Sequence, residues 1–105
     1  MKDEGYKQFL IFLRLTPDYQ IEANWCEADN EKVAAHVEML RRLKEAGKLI
    51  VAGRTQEALD HTFGIIIIAV YDEAEAAGIM REDPAVAGGI MEASLHPFQV
   101  AVSRG

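Results

Sequence analysis

Two stretches of this chain are apolar at every position: Phe9-Leu10-Ile11-Phe12-Leu13 and Ile65-Ile66-Ile67-Ile68-Ala69-Val70. In a β-strand successive side chains point to opposite faces, so a strand wet on one side alternates apolar and polar residues. Neither stretch alternates, and both therefore predict strands that are dry front and back. A chain of 105 residues is one domain, with enough material for a single layer of helices over one sheet. The second face of that sheet has nothing in the same chain to cover it. A second copy is the simplest cover, so a homodimer pairing through sheet faces is the expected assembly.

Charge narrows the partners. The chain carries 11 Lys and Arg against 17 Asp and Glu, a net charge of −6. An acidic surface repels phosphate backbones, which argues against nucleic acid. The basic cluster Arg41, Arg42, Lys44 and Lys48 falls near a helix end, where cations complement the macrodipole. The longest apolar run is about seven residues, far below the roughly 20 that cross a bilayer, so no membrane partner is expected. Cys26 is the single cysteine. It excludes an intrachain disulfide and any zinc-type cysteine spacing. With the polar, acidic opening MKDEGYKQ, which lacks the apolar core of a signal peptide, this leads to a cytoplasmic expectation.

Punctuation along the chain sets the element order. Lys7 to Leu15 reads as a strand that stops at Thr16-Pro17-Asp18, because proline removes a donor and Pro-Asp favours a turn. Residues 17 to 28 form a polar connection in which Trp25 and Cys26 are expected to be packing residues. A helix is predicted from near Asp29 or Asn30, either of which can cap, to about Ala46, with Gly47 as its left-handed stop. Its apolar stripe is Val33, Val37, Leu40 and Leu43. Lys48 to Thr55 is a second strand, with Leu49, Val51 and Gly53 expected on one face and Ile50 and Ala52 on the other. After a loop at Gln56 to His61, Thr62 to Tyr71 is the third strand. Asp72 with Glu75 three residues on marks a second helix, which runs to about Glu82. Asp83-Pro84 breaks it, and Ala85 to Gly89 can form one more helical turn. Ile90 to Ser103 is the last strand. Its apolar phase slips at His96-Pro97, which predicts a bulge or an edge position.

Strand-helix-strand twice over is the order of an α+β, ferredoxin-like split βαβ fold (βαββαβ), an antiparallel four-stranded sheet with two helices on one face. That topology places the first and third strands in the middle. They are the two with the unbroken apolar runs.

A few residues are able to carry chemistry, and each has a plain structural alternative. His36 lies at i+3 from Val33 and i−4 from Leu40, beside the stripe that faces the sheet, where an imidazole must find a partner. A backbone carbonyl would satisfy it. Asp83 precedes Pro84 and can simply cap the turn that follows. Arg54, after Val51-Ala52-Gly53, is placed to hold a carboxylate or phenolate, or to sit in solvent. His61 is expected to be exposed. His96, at the strand irregularity, either lines a cavity and contacts substrate or is structural. The three histidines have no metal-ligand spacing, and no GxSxG, P-loop or GxGxxG occurs. No metal and no cofactor is expected.

At this point the chain resembles a family. His36-Val37-Glu38-Met39-Leu40-Arg41-Arg42-Leu43-Lys44-Glu45-Ala46-Gly47-Lys48-Leu49-Ile50-Val51-Ala52-Gly53 is similar to the leading motif of the YciI-like (YCII-related) proteins: a histidine, a leucine-bearing helix, a glycine, and a hydrophobic strand ending in Ala-Gly. Arg81-Glu82-Asp83-Pro84-Ala85-Val86-Ala87-Gly88-Gly89 resembles their Asp-Pro motif, and His96-Pro97-Phe98 their Pro-aromatic near the C-terminus. The resemblance implies one YciI-like domain over residues 1–105 of the dimeric α+β barrel type. It also implies a histidine and an aspartate paired in a pocket, here His36 and Asp83, the carboxylate orienting an imidazole that moves a proton. One kind of reaction found among such proteins is dehydrochlorination of a hydroxylated aromatic. The chain departs from the pattern in having Arg54 where many relatives have proline after Ala-Gly, and in lacking a DGPF motif.

An imidazole ordinarily titrates near pH 6.5, which suits proton transfer at neutral pH. No nucleophile accompanies the pair, so a covalent intermediate is not favoured. The resulting expectation is a small enzyme doing acid–base chemistry (elimination, isomerisation or hydrolysis) on a small, anionic, hydroxyaromatic-like molecule. His36 and Asp83 would be catalytic, and Arg54 and His96 would bind substrate. The alternative is a non-catalytic small-molecule-binding or structural dimer module.

Overall fold

The computed structural model describes residues 5–104. In chain order the elements are β1 (Lys7–Leu15), α1 (Glu27–Glu45), β2 (Leu49–Arg54), β3 (Phe63–Val70), α2 (Glu73–Glu82), the one-turn α3 (Pro84–Ala87) and β4 (Met91–Phe98). The four strands form one antiparallel sheet in the order β2-β3-β1-β4. This is the ferredoxin-like α+β arrangement, with the two all-apolar strands at its centre.

The register sorts side chains between the two faces. Phe9 pairs with Ile68, Ile11 with Ile66 and Leu13 with Gly64. Phe9, Ile11, Leu13, Ile66, Ile68 and Val70 are buried together with Ala76 of α2, and Met39, Leu40, Leu43, Ile79 and Met80 of the helices pack on them. Each such isoleucine contributes about 1.5–3 kcal/mol through burial. The intervening residues point the other way, where Leu10 pairs with Ile67, Phe12 with Ile65 and Arg14 with Phe63. On this open face Leu10, Phe12, Phe63 and Ile65 are half-buried within the single chain, whereas Ile67 is 7% exposed. The central strands are thus apolar on both sides, but only one side is covered by helices.

Several boundaries differ from the sequence reading. α1 begins at Glu27, one turn earlier than the expected cap at Asp29 or Asn30. Cys26 is the N-cap residue, and Asp29, at the third helical position, supplies the carboxylate. Its Oδ2 accepts from the Cys26 N–H at 3.0 Å and from the Cys26 thiol at 3.2 Å, while Oδ1 accepts from the Tyr19 hydroxyl at 3.0 Å. Cys26 is exposed and caps rather than packs. The connection before it is two short 3₁₀ turns, Pro17–Gln20 and Glu22–Asn24.

In β2 the pairing shifts between Leu49 and Val51, so that Leu49 faces Ile68 and Val51 faces Ile67. Leu49 and Val51 therefore lie on opposite faces, because Ile50 is an extra residue in the ladder. Ala52 and Arg54 move to the helix side with Leu49, and Gly53 to the open side with Val51. β4 stops at Phe98, not at Ser103, and pairs with β1 in continuous register, so the phase slip reflects an edge strand and not a bulge. The start of α2 matches its sequence signal: Asp72 Oδ1 accepts from the Glu75 N–H at 2.9 Å. Glu75 reaches Lys48 at 2.7 Å and accepts from the Tyr71 N–H at 3.1 Å. Lys48 first, and then that backbone donor, hold the Glu75 carboxyl below the usual range.

Candidate active site

Asp83 sits where α2 ends. A proline at the next position keeps it out of the helical region, and its ψ is 124°. Its side chain then folds over the turn it starts, with Oδ1 accepting from the Ala85 N–H at 2.9 Å. That is the capping role expected of an Asp-Pro pair. The same carboxylate also meets His36 from α1, with Oδ2 2.7 Å and Oδ1 2.9 Å from the imidazole Nδ1. Asp83 is 1% exposed and His36 8% exposed. The cap and the dyad are therefore one arrangement and not rival explanations.

The pairing determines the histidine tautomer. A carboxylate only accepts, so Nδ1 carries the hydrogen and Nε2 keeps its lone pair. Nε2 has no hydrogen-bond partner among the described residues, and no buried side-chain nitrogen or oxygen among them lacks one. Nε2 is consequently accessible, and the space beside it is a cavity of about 460 Å³ that His36 lines. This is a usual size for a small-molecule site.

On the sheet side the cavity lies over residues without bulk. Gly64 occupies the helix-side position between Leu13 and Arg54, and Ala52 lies beside it. A methyl group on Gly64 would meet the Gly53 carbonyl at 3.3 Å. On the helix, Val33, Val37 and Leu40 line the same space. Val37 is 38% exposed, although it belongs to the inward stripe. The loop between β2 and β3 is clasped by its threonines. The buried Thr62 hydroxyl donates to the Thr55 carbonyl at 2.8 Å, and the Thr55 hydroxyl lies 3.0 Å from it and accepts from the Phe63 N–H at 3.0 Å.

The charged and titratable residues on the cavity wall are His36, Arg54 and Arg14, with no Asp or Glu among them. Of the two arginines, Arg54 is the one that the register places on the helix side, opposite Gly64. Arg54 is exposed at the rim, where its Nη1 makes only a long contact, 3.4 Å, to the Thr55 carbonyl. Arg14 borders the cavity but its side chain is on the open face, where it lies over the Phe12 ring at 5.6 Å, and Phe12 stacks on Phe63.

The sequence-derived candidates thus separate. His36 and Asp83 are in contact, and Arg54 shares their cavity. His96 does not. It pairs with Leu10 on the open face, is exposed, and bonds to the Ser94 hydroxyl at 2.8 Å. With no bulge in β4 to turn it inward, strand alternation carries it to the side away from the helices, and its substrate-contact assignment is withdrawn. His61 is exposed in its loop, as expected. Trp25, Asn30 and Arg14 line the cavity and were not singled out as site residues by sequence reasoning. For Asn30 the signal was available, since it precedes Val33 and Val37 at helical spacing.

The YCII-related domain matches residues 8–99. The chain belongs to the YCII-related family. Among solved structures it is similar to the 5-chloro-2-hydroxyhydroquinone dehydrochlorinase of Burkholderia phenoliruptrix AC1100 in complex with 2,5-dihydroxybenzoquinone, with a TM-score of 0.67 and 21% identity over 88% of this chain and 93% of that one. It is also similar to a proposed antibiotic biosynthesis monooxygenase of Bacteroides thetaiotaomicron VPI-5482, with a TM-score of 0.54 and 17% identity over 95% of this chain and 93% of that one. At these identities the likeness is one of fold. No curated protein matches the chain. Among the described residues of this YCII-related chain no helix is long and apolar enough to cross a membrane.

Proposed function

We propose that this YCII-related protein is a small enzyme that moves a proton on a small organic substrate, with His36 as the acid–base group and Asp83 as its orienter. The observation that carries the reading is the buried contact of 2.7 Å between Asp83 Oδ2 and His36 Nδ1, which leaves Nε2 open to the cavity. In an elimination, Nε2 would take a proton from carbon while the electron pair of that C–H bond forms a double bond and a leaving group departs with its own pair. In an isomerisation the same proton would return at another atom. In either case a charged imidazolium forms, and the buried carboxylate stabilises it without taking the proton itself. Such help is worth roughly 10²–10⁴-fold in rate. Arg54 would hold an anionic oxygen of the substrate at the rim.

The dehydrochlorinase among the structural neighbours favours elimination on a hydroxylated ring, as a fold-level analogy. The test is turnover of hydroxylated and chlorinated aromatics by the protein and by His36→Ala. Loss of turnover in a variant that melts like the parent supports the reading. Unchanged turnover ends it, and ligand-dependent stabilisation without product would leave a binding module in its place. We also propose that two copies pair through their open sheet faces, supported by the half-buried Leu10, Phe12, Phe63 and Ile65 there. The lone cysteine suits a cytoplasmic setting.

A further inference from the structure

Trp25 was expected only to pack, yet it lines the cavity. Three contacts explain how it is held. Its indole N–H donates to the Tyr19 carbonyl at 2.9 Å, so its one polar atom is satisfied within the protein. The Tyr19 ring meets it edge-on, with centroids 5.3 Å apart and planes at 79°. Tyr19 is in turn fixed by its hydroxyl on Asp29, which also caps α1 through Cys26. The indole is therefore locked in place by a chain of contacts running back to the helix that carries His36. Most of its surface is covered, and it lines the cavity with part of what remains.

A rigid aromatic wall with no polar demand of its own is suited to one task. It offers a flat, electron-rich surface that binds planar conjugated rings better than puckered ones. Arg54, on the helix side at the rim of the same cavity, complements an anion. We infer that Trp25 is the specificity-determining platform of this cavity, selecting planar conjugated anions over saturated anions of the same size and charge. This rests on the proposed reading of the cavity as a small-molecule site, but it is independent of turnover.

Benzoate and cyclohexanecarboxylate are a discriminating pair of probes. They share a carboxylate and a six-carbon ring, and the saturated one is the more hydrophobic. Simple burial would favour cyclohexanecarboxylate, whereas a platform favours benzoate. Trp25 is the sole tryptophan, so quenching of its emission reports on this wall directly, with calorimetry as the second readout. Benzoate is expected to bind about fivefold more tightly and to quench Trp25 saturably. In Trp25→Leu the two affinities, read by calorimetry, are expected to converge. Trp25→Phe loses the bond to Tyr19 but keeps a ring, and is expected to retain most of the preference. Arg54→Gln is expected to weaken both anions together and leave their ratio unchanged. Equal binding in the parent protein overturns the platform, as does a preference that survives Trp25→Leu or vanishes equally in Trp25→Phe. Failure of both anions to bind overturns the cavity reading beneath it as well. Loss of turnover in His36→Ala with the benzoate preference intact keeps the two claims apart.

Discussion

At the residue scale the central fact is that one carboxylate has two partners. Asp83 caps α3 through Ala85 and pairs with His36, so its two roles respond differently to substitution. Asp83→Asn keeps an acceptor for the Ala85 N–H but turns an amide donor toward Nδ1. That favours the tautomer with the hydrogen on Nε2, which can no longer accept a proton. Activity is expected to fall by about 10²–10⁴-fold, with a stability loss of only about 1 kcal/mol. Asp83→Ala removes both contacts and is expected to cost about 2–3 kcal/mol in a chemical melt. Asp29 gives a separate test through pH. The Cys26 N–H, then its thiol, and then the Tyr19 hydroxyl hold the Asp29 carboxyl below its ordinary value of 3.8. A carboxyl lowered in the folded state adds stability that is complete above its unfolded value and is lost as pH falls through its folded one. Asp29→Asn is therefore expected to lower the melting temperature at pH 7, with the gap closing as both proteins are melted at pH 4 and then at pH 3. Position alone left both dyad residues with a sufficient local explanation, a carbonyl partner for the ring beside the apolar stripe and a cap for the acid before the proline, and it was the resemblance to YciI-like proteins that paired them. Trp25 was not legible, since nothing in a polar connection tells which side of it a tertiary cavity lies on.

At the scale of elements, most of the fold was readable from punctuation. The limits of β1 and the caps of α2 and α3 follow from Pro17, Asp72 and Asp83, each a local signal. What was not readable was non-local. The bulge at Ile50 is a property of pairing with β3 and leaves no mark in β2 itself, and it decides that Arg54 rather than Gly53 points to the helix side. The early start of α1 was missed because cysteine is not a usual cap, and Asp29 does the work from inside the first turn. The turn carrying Asp83 depends on close packing of α3 with α1. A methyl group on Gly88 would lie 2.7 Å from Lys32 Cδ and 2.8 Å from the Pro84 carbonyl. The lysine tip can move, but the carbonyl of α3 cannot without shifting the turn. Gly88→Ala is expected to destabilise the protein by about 1–3 kcal/mol. It is also expected to reduce turnover with His36 and Asp83 both intact, because α3 positions the carboxylate. A variant with parental melting temperature and rate would show that α3 tolerates the shift.

At the scale of the whole molecule, the sheet has two different faces. The helix side is a closed core that opens into the cavity at one end. The other side presents Leu10, Phe12, Phe63 and Ile65 in its middle, with Gln8, Arg14, Glu92, Ser94 and His96 toward its ends and along the β4 edge. An apolar centre with a polar rim is the usual anatomy of an interface, and Arg14 beside Glu92 gives that rim both signs of charge. A two-fold contact needs such self-complementarity, since the same patch serves on both copies. The single chain already buries Ile67 and Ala69 on this side, so the case for a partner rests on the half-buried residues around them. Leu10 is the most informative of these, because it sits centrally on β1 against Ile67 and His96 and does not line the cavity. Leu10→Lys places a charge in the middle of the face. Its long stem can still cover Ile67 in a single chain, while its ammonium would have no aqueous exit in a paired one. The parent is expected to sediment as a dimer at micromolar concentration, and the variant as a folded monomer with unchanged far-ultraviolet circular dichroism. A parent that sediments as a stable monomer removes the pairing proposal and leaves the His36–Asp83 geometry untouched, because the dyad lies on the helix side of the sheet and is formed within one chain.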